Sequence, residues 1–307
     1  MELRLTDALA FGALISAVDP VATLAIFSAM DVEPVLNMLV FGESILNDAV
    51  SIVLCNIMIK AGHATENPGF GVLITVLGEF AWMMVASTLL GTLAALAIAL
   101  ILKHVDLRRN PSLEFGIMLL ASYFPYCCAE AADLSGITSI LFAGIVMSHY
   151  AHQNLSLVTQ INVQNAFRAM AFLAETSVFA YLGMAIFSFQ HRLVPSFLIW
   201  TIILILIGRA LNIYPLSWFI NHFRETRISR KMQFVMWFSG LRGAIAYAVS
   251  LHLEIEDPEQ RRAIITTSLC VVLFTILVLG GSTYPLVRWM KVSRYEVLTL
   301  KLSRYEL

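Results

Sequence analysis

Three polar side chains that could bind a cation or a proton lie near the middle of one apolar segment. The segment Val35–Lys60 is long enough to cross a bilayer as one α-helix, yet it carries Glu43, Asn47 and Asp48. A charged side chain is costly at that depth and usually marks a functional site. A buried carboxylate can take up a proton or, with other oxygen ligands, a hard cation. The segment therefore predicts an ion-binding site.

Helical geometry separates the two acids of this segment. At about 100° per residue, Asp48 shares a polar stripe with Ser44 and Asn47. Glu43 lies about 140° around the axis from Asp48, so it must contact a different neighbour. We predict that Asp48, Asn47 and Ser44 bind the ion. The alternative is that both acids are structural, each satisfied by a buried partner.

Two other apolar segments carry a charge beside a helix breaker. In SAVDPVA, Pro20 removes a backbone donor next to Asp19, so the helix should kink or unwind there. In SGLRGAIA, Arg242 lies between Gly240 and Gly243, and glycine favours local unwinding. Unwound half-helices expose carbonyl groups that can coordinate a cation, and a guanidinium can offset the negative end of a helix dipole. The alternative is that proline and glycine only allow tilt or close packing.

Further buried charges need partners of their own. Arg209, in IGRALN, requires an acid, and we predict Glu43 because it points away from Asp48. Removing one member of such a pair would leave a buried charge uncompensated, at a cost of several kcal/mol. Glu175, in AETSVFAYLG, is predicted to line an ion entry path or to be a second candidate partner for Arg209.

The composition is that of an all-α polytopic membrane protein. Hydrophobic residues make up 59% of the 307 residues and charged residues 13%, whereas soluble domains average about 25% charged residues. A net charge of -1 argues against a nucleic-acid partner. The cysteines lack metal-ligand spacing, and we predict no cofactor.

The elements that must position these residues are membrane helices. Hydropathy predicts about nine spans, and loops rich in Lys and Arg follow the third, seventh and ninth. By the positive-inside rule these loops and the C-terminus are cytosolic. We assign residues 1–290 to a membrane domain and 291–307 to a cytosolic tail. The spans are Thr6–Ala29, Val35–Lys60, Val72–Leu102, Ser112–Ala131, Gly136–Tyr150, Asn165–Phe189, Val194–Ile220, Met232–Leu253 and Ala263–Leu286.

Four of these segments resemble the animal-type sodium/proton exchangers of the cation/proton antiporter superfamily. They read ISAVDPVATLAIF, LVFGESILNDAVSIVL, AETSVFAYLGM and FSGLRGAIAYAVSL, and they occur in the order of the family. LSGITSILFAGIVMSHY agrees between the second and the third. The first two are most similar to a Golgi and apical-membrane isoform.

The resemblance implies an inverted-repeat antiporter fold with two broken, crossing helices. Asp48 would alternately bind a proton or Na⁺, with K⁺ or Li⁺ as other candidate cations, and Asp19 would help to form the site. Glu43 and Arg209 would be a stabilising pair, and Arg242 would lie at the crossing. The protein would exchange one monovalent cation for one proton by alternating access and so regulate luminal or cytosolic pH.

The resemblance also implies a domain organisation and a cellular setting. The chain would act as a homodimer in a Golgi, other endomembrane or apical plasma membrane. The family's first four helices have no counterpart here, so N-terminal helices are expected to be missing. Residues 1–60 and 231–290 would form the ion-site core, 70–150 mainly the dimerisation side, and 163–222 connecting and core helices.

Two other functions remain open at this point. A transport-dead truncated scaffold that associates with full-length exchanger would follow from the expected loss of N-terminal helices. An intramembrane aspartyl protease also needs two aspartates at membrane depth. Its Gly-x-Gly-Asp sequence is absent, however, because Asp48 follows Leu46 and Asn47.

Overall fold

The computed structural model of the chain is built of helices, in agreement with the predicted all-α fold class. Pro20, predicted to break the first span, lies outside the described residues, and so does the predicted tail 291–307. The structure describes residues 4–19, 21–30, 32, 34–64, 70–105, 108, 110–188, 191–223, 228–253, 255 and 257–290.

The helices follow the predicted spans, and each predicted span overlaps one helix or a pair of helices. Two π-helical turns, Met147–Ala151 and Thr275–Gly280, interrupt the fifth and the ninth span. In chain order the α-helices are α1 (Leu5–Ser16), α2 (Val21–Ala29), α3 (Pro34–Ala64), α4 (Phe70–His104), α5 (Pro111–Ala131), α6 (Gly136–Val146), α7 (His152–Asn154), α8 (Leu157–Ser188), α9 (Pro195–Phe223), α10 (Arg230–Phe238), α11 (Ala244–Leu251), α12 (Pro258–Phe274) and α13 (Gly281–Met290).

Several of these helices have the length and composition of membrane spans. Among the described residues, 6 helical segments are long and apolar enough to cross a bilayer. Their outer surfaces carry large apolar side chains, such as Trp82, Leu120 and Phe187, which are 71%, 71% and 90% exposed. Such exposure is expected where hydrocarbon rather than water surrounds the protein. The chain is therefore an integral multi-pass membrane protein.

Two spans are broken, as the sequence predicts. The first ends its helical part at Ser16, after which Ala17 takes an extended conformation with φ -54° and ψ 131°. Asp19 precedes a proline, and a residue in that position is disfavoured in the α conformation. The other break separates α10 from α11, and Gly243 is extended there with φ -90° and ψ 174°. The stretch between α1 and α2 is called the first break, and residues 239–243, between α10 and α11, the second break.

The chain divides into two compact units, residues 1–62 with 182–307, and residues 63–181. In the first unit, buried apolar side chains of α2, α3, α10 and α13 form a core around Leu36 and Val235. In the second, α4, α5 and α6 pack around Ala95 and Ala143. Of the predicted site residues that the structure describes, all except Glu175 belong to the first unit, so the candidate site is built within it.

Candidate ion-binding site

The two helix breaks meet in the interior of the first unit. The backbone N–H of Asp19 donates to the carbonyl oxygen of Leu241 at 2.9 Å. The Thr23 hydroxyl donates to the carbonyl oxygen of Ser239 at 3.1 Å. Backbone groups that leave a helix need partners, above all where no bulk water is available. Each break therefore supplies hydrogen-bond partners for the other, and the two broken spans cross at this point.

Arg242 joins the second break to the end of α1. Its side chain is only 4% exposed, and Nη1 donates to the carbonyl oxygens of Ser16 and Ala17, at 3.2 Å for the latter. These carbonyls lie at the C-terminus of α1, where the helix dipole concentrates negative partial charge. The guanidinium offsets that charge, which is the placement that the sequence favours for it.

Helix α3 contacts the same stretch of unwound backbone. Asn47 Nδ2 donates to the carbonyl oxygen of Ser16 at 2.7 Å, and Asp48 Oδ1 accepts the backbone N–H of Val18 at 3.2 Å. The hydroxyls of Ser16 and Ser51 lie 2.8 Å apart. The predicted polar stripe of α3 thus faces the first break, and its carboxylate reaches the chain between α1 and α2.

Ser44 lies one helical turn before Asp48 on the same face of α3. It is 1% exposed, and its Oγ has no hydrogen-bond partner among the described residues. Since a buried polar atom normally has a partner, this hydroxyl oxygen is available to a ligand. It therefore fits the role of an ion ligand that the sequence suggests.

Arg209 and Glu43, the predicted pair, lie beside the crossing. Nη1 of Arg209 is 3.3 Å from Oε1 of Glu43. Nη2 donates to the carbonyl oxygen of Met236 at 2.7 Å, and Nε donates to that of Trp237 at 3.3 Å. The Arg209 guanidinium therefore ties α9 to α3 and to the C-terminal end of α10. Glu175 lies in the other unit, on α8.

Charges of both signs gather around the crossing. Asp19 and Arg242 act electrostatically on Asp48, and Arg242 is also influenced by Glu43 and Arg209. With every group ionised, this described cluster of three acids and two arginines carries one net negative charge.

Gly240 and Gly243 are required by close approach. A Cβ at Gly240 would overlap the Arg209 guanidinium, and a Cβ at Gly243 would overlap the Asp19 side chain. No glycine among the described residues has a positive φ. From the sequence we expect these glycines to ease unwinding, but in the structure they make room for two charged side chains.

A cavity of about 520 Å³ lies beside the crossing. Asn47 lines this cavity and Asp48 does not. Its apolar walls come mainly from α1 and α9, through Phe11, Ile15, Phe197, Leu204 and Ile205. Its polar lining is formed by Ser16, Glu43, Asn47, Thr201, Arg209, Asn212 and Arg242.

Sequence reasoning missed three hydroxyl residues that contact the breaks, Ser16, Thr23 and Thr275. Ser16 supplies the carbonyl that Asn47 and Arg242 share. Thr275 accepts the backbone N–H of Arg242. The position of Ser16 just before AVDP is a signal that could have identified it. Thr275 begins a π-helical turn, which the apolar pattern of its span does not reveal.

The chain is similar to known proteins over most of its length. The family described as "Sodium/hydrogen exchanger, transmembrane" matches residues 1–289. Sodium/hydrogen exchanger 8 of Rattus norvegicus is 59% identical over 293 residues, covering 95% of this chain and 51% of that protein. The Homo sapiens protein of the same name is 58% identical, over 95% of this chain and 50% of its own length. Sodium/hydrogen exchanger 9 of Rattus norvegicus is 40% identical, and the match covers 95% of this chain and 45% of that protein. The chain spans about half the length of the curated relatives it matches.

One solved structure supports the same fold. The sodium proton antiporter MjNhaP1 from Methanocaldococcus jannaschii, at pH 8, superposes with a TM-score of 0.63 over 90% of this chain and 69% of that one. Its sequence identity is 19%, so the likeness concerns the fold alone. The arrangement of the described helices is therefore that of an antiporter fold with two broken helices.

Proposed function

The chain belongs to the sodium/hydrogen exchanger transmembrane family, and from that premise we propose that it exchanges Na⁺ for a proton across a membrane. Members of this family are secondary transporters and not enzymes. The observation that carries the proposal is that Asp48 bonds to the first helix break, which in turn bonds to the second break, within one compact unit.

The charge of the cluster supports a one-for-one exchange. Its three acids and two arginines leave one negative charge when all are ionised. Either one proton or one monovalent cation neutralises that charge, so the two loaded states have the same net charge. A cluster that crosses the membrane field only when loaded would carry no net charge in either direction, and the exchange is electroneutral.

Competition at Asp48 links the two ions. Burial makes an unpaired carboxylate costly, so the site is occupied by a proton or by a cation. Oxygen atoms of Asp48, Asp19, Ser44 and Asn47 supply the ligands that a hard cation prefers. Because one carboxylate serves both ions, binding of one excludes the other. Alternating access of the loaded site then moves Na⁺ and H⁺ in opposite directions.

The names of the relatives support sodium as the cation that this chain exchanges for a proton. K⁺ and Li⁺ are the competing cations, and regulation of luminal or cytosolic pH is the outcome of the exchange. A homodimer in a Golgi or apical membrane, with a cytosolic C-terminus, completes the proposal.

The test is cation-driven proton flux in proteoliposomes. Purified chain is reconstituted, a pH-sensitive dye is trapped inside, and Na⁺, K⁺ or Li⁺ is added outside. Asp48→Asn removes the titratable group, and Glu79→Gln, an exposed acid on α4, is the matched control. A second set of proteins is extended N-terminally with the corresponding part of the rat relative and carries the same two substitutions. We expect cation-driven proton flux in the unchanged protein. Asp48→Asn should abolish this flux, and Glu79→Gln should retain it.

Each other result has a definite meaning. Flux in the extended version but not in this chain would favour the truncated scaffold as the role of this chain alone. No flux with any alkali cation in either version, or flux that survives Asp48→Asn, would show that the antiporter proposal is wrong. A current on cation addition to voltage-clamped membranes would contradict electroneutral exchange.

A further inference from the structure

Arg242 is fixed through its backbone as well as through its side chain. Its backbone N–H donates to Oγ1 of Thr275 at 3.1 Å. The same hydroxyl donates its own proton to the carbonyl oxygen of Val272 at 3.0 Å. Since a hydroxyl has one donor and two acceptor lone pairs, the bond to Val272 directs a lone pair towards Arg242. Thr275 is 3% exposed, so no bulk water competes for either bond.

A π-helical turn brings Thr275 to this position. Thr275 begins the turn Thr275–Gly280, between α12 and α13. Such a turn widens the helix and changes which side chains face a neighbour, and π turns often occur at functional sites. At the other end of the turn, Gly280 lies beside the side chain of Leu241. The π turn therefore fits against two consecutive residues of the second break.

Few other hydrogen bonds fix the backbone of the second break. Leu241 N–H donates to the Ser239 carbonyl oxygen at 2.9 Å, and the Leu241 carbonyl accepts from Asp19. Arg242 is the next residue, outside α10 and α11. Without the Thr275 hydroxyl its N–H would be a buried donor with no acceptor, which is unfavourable. The break would then shift to find another partner.

We propose that Thr275 is a positioning residue for ion exchange. Its hydroxyl fixes the backbone of Arg242, so that the guanidinium reaches the carbonyls at the end of α1. The inference rests on the proposed function, because it assigns Thr275 a part in cation binding through Arg242. Thr275 itself does not touch the ion.

The chain offers a matched control on the same helix. Thr267 is 2% exposed on α12, and its hydroxyl donates to the carbonyl oxygen of Ala263 at 2.7 Å, within that helix. Thr267→Val removes one buried hydroxyl with the same change of shape as Thr275→Val. Thr275→Ser keeps the hydroxyl and is the conservative rescue. Thr275→Ala removes the hydroxyl with a smaller side chain and is used if valine disrupts folding.

Two measurements on the full chain test the proposal. Hydrogen exchange of peptides covering residues 239–243 reports the backbone of the break without any transport assay. Sodium-driven flux gives the apparent KM and the maximal rate. We expect Thr275→Val or Thr275→Ala to speed exchange of the break about tenfold and to raise the apparent KM for Na⁺ about tenfold. Thr275→Ser and Thr267→Val should match the unchanged chain in both.

The outcomes separate the positioning role of Thr275 from the proposed exchange of Na⁺ for a proton. If Thr275→Val and Thr275→Ala behave like Thr267→Val in either measurement, Thr275 has no positioning role. If the unchanged chain and its extended version show no cation-driven flux, the proposed function fails instead. Faster exchange of the break in Thr275→Val would then report only a structural bond, and the inference about ion exchange would fall with the function.

Discussion

The Arg209 guanidinium lies 3.3 Å from the Glu43 carboxylate, on the face of α3 that points away from Asp48. Arg209 also donates to two carbonyl groups at the end of α10, so the ion pair is part of a larger set of bonds. At 8% side-chain exposure Arg209 is well buried, and Glu43 is 22% exposed. Arg209, on α9, therefore links the helix that carries Asp48 to α10, the helix that precedes the second break.

Removing one member of this pair should destabilise the protein. Glu43→Gln or Arg209→Gln leaves one buried charge uncompensated, and we expect each to lower the free energy of unfolding by about 3 kcal/mol. The double variant should lose less than the sum of the two, because neither charge remains. Thermal unfolding in detergent, analysed as a double-mutant cycle, measures the coupling. Strictly additive losses would mean that the two side chains do not interact.

The two glycines at the second break should not tolerate a methyl group. Gly243→Ala would displace Asp19, and Gly240→Ala would displace the Arg209 guanidinium. Overpacking of this kind costs about 1–3 kcal/mol, and we expect transport to fall with it. Gly183→Ala on α8, where a Cβ meets nothing within 4 Å, is the control. If Gly243→Ala leaves both the flux and the melting temperature unchanged, the close approach of Gly243 to Asp19 is contradicted.

Lowering the pH on the side where the cation binds should raise the apparent KM for Na⁺. A protonated Asp48 has no negative charge to offer a cation, so protons act as competitive inhibitors. Where the protonated form dominates, the KM should rise by up to about tenfold per pH unit while the maximal rate at saturating Na⁺ stays constant. Initial flux rates over a range of pH and Na⁺ concentration measure this. A fall in maximal rate with constant KM would place the two ions at separate sites.

The cavity beside the crossing should be accessible to water-soluble reagents. Gly12 on α1 lines it, and a Cβ there meets nothing within 4 Å. In a background with the native cysteines replaced by serine, Gly12→Cys should react with a cationic methanethiosulfonate, and flux should then fall. Gly183→Cys, which has similar room on α8 but does not line the cavity, should keep its flux after the same treatment. If the Gly12→Cys variant is modified and still shows full flux, this cavity is excluded as the route of the cation.

Much of the site could be predicted because charges inside apolar segments are few. Asp19, Asp48 and Arg242 were identifiable from their depth in three spans, and the structure brings all three to one crossing. Helical periodicity was enough to separate Glu43 from Asp48. Charge balance indicated that Arg209 needs an acid, and the direction of Glu43 away from Asp48 favoured it over Glu175.

The parts that escaped prediction depend on backbone geometry. Whether a glycine serves flexibility or close approach depends on what lies opposite its Cα, and only the structure shows Arg209 and Asp19 there. The π turn at Thr275 has the same apolar composition as the helix that it interrupts. Hydropathy detects that a segment is buried in lipid, but not a local change in helical register.

The carbonyl oxygen of Ser16 accepts from Asn47 and from Arg242. A carbonyl oxygen has two lone pairs, so both coordination places on this atom are already filled. A dehydrating cation can use it only by displacing an amide or a guanidinium. Ligand substitution at the Ser16 carbonyl would therefore displace a side chain either of α3 or of the second break.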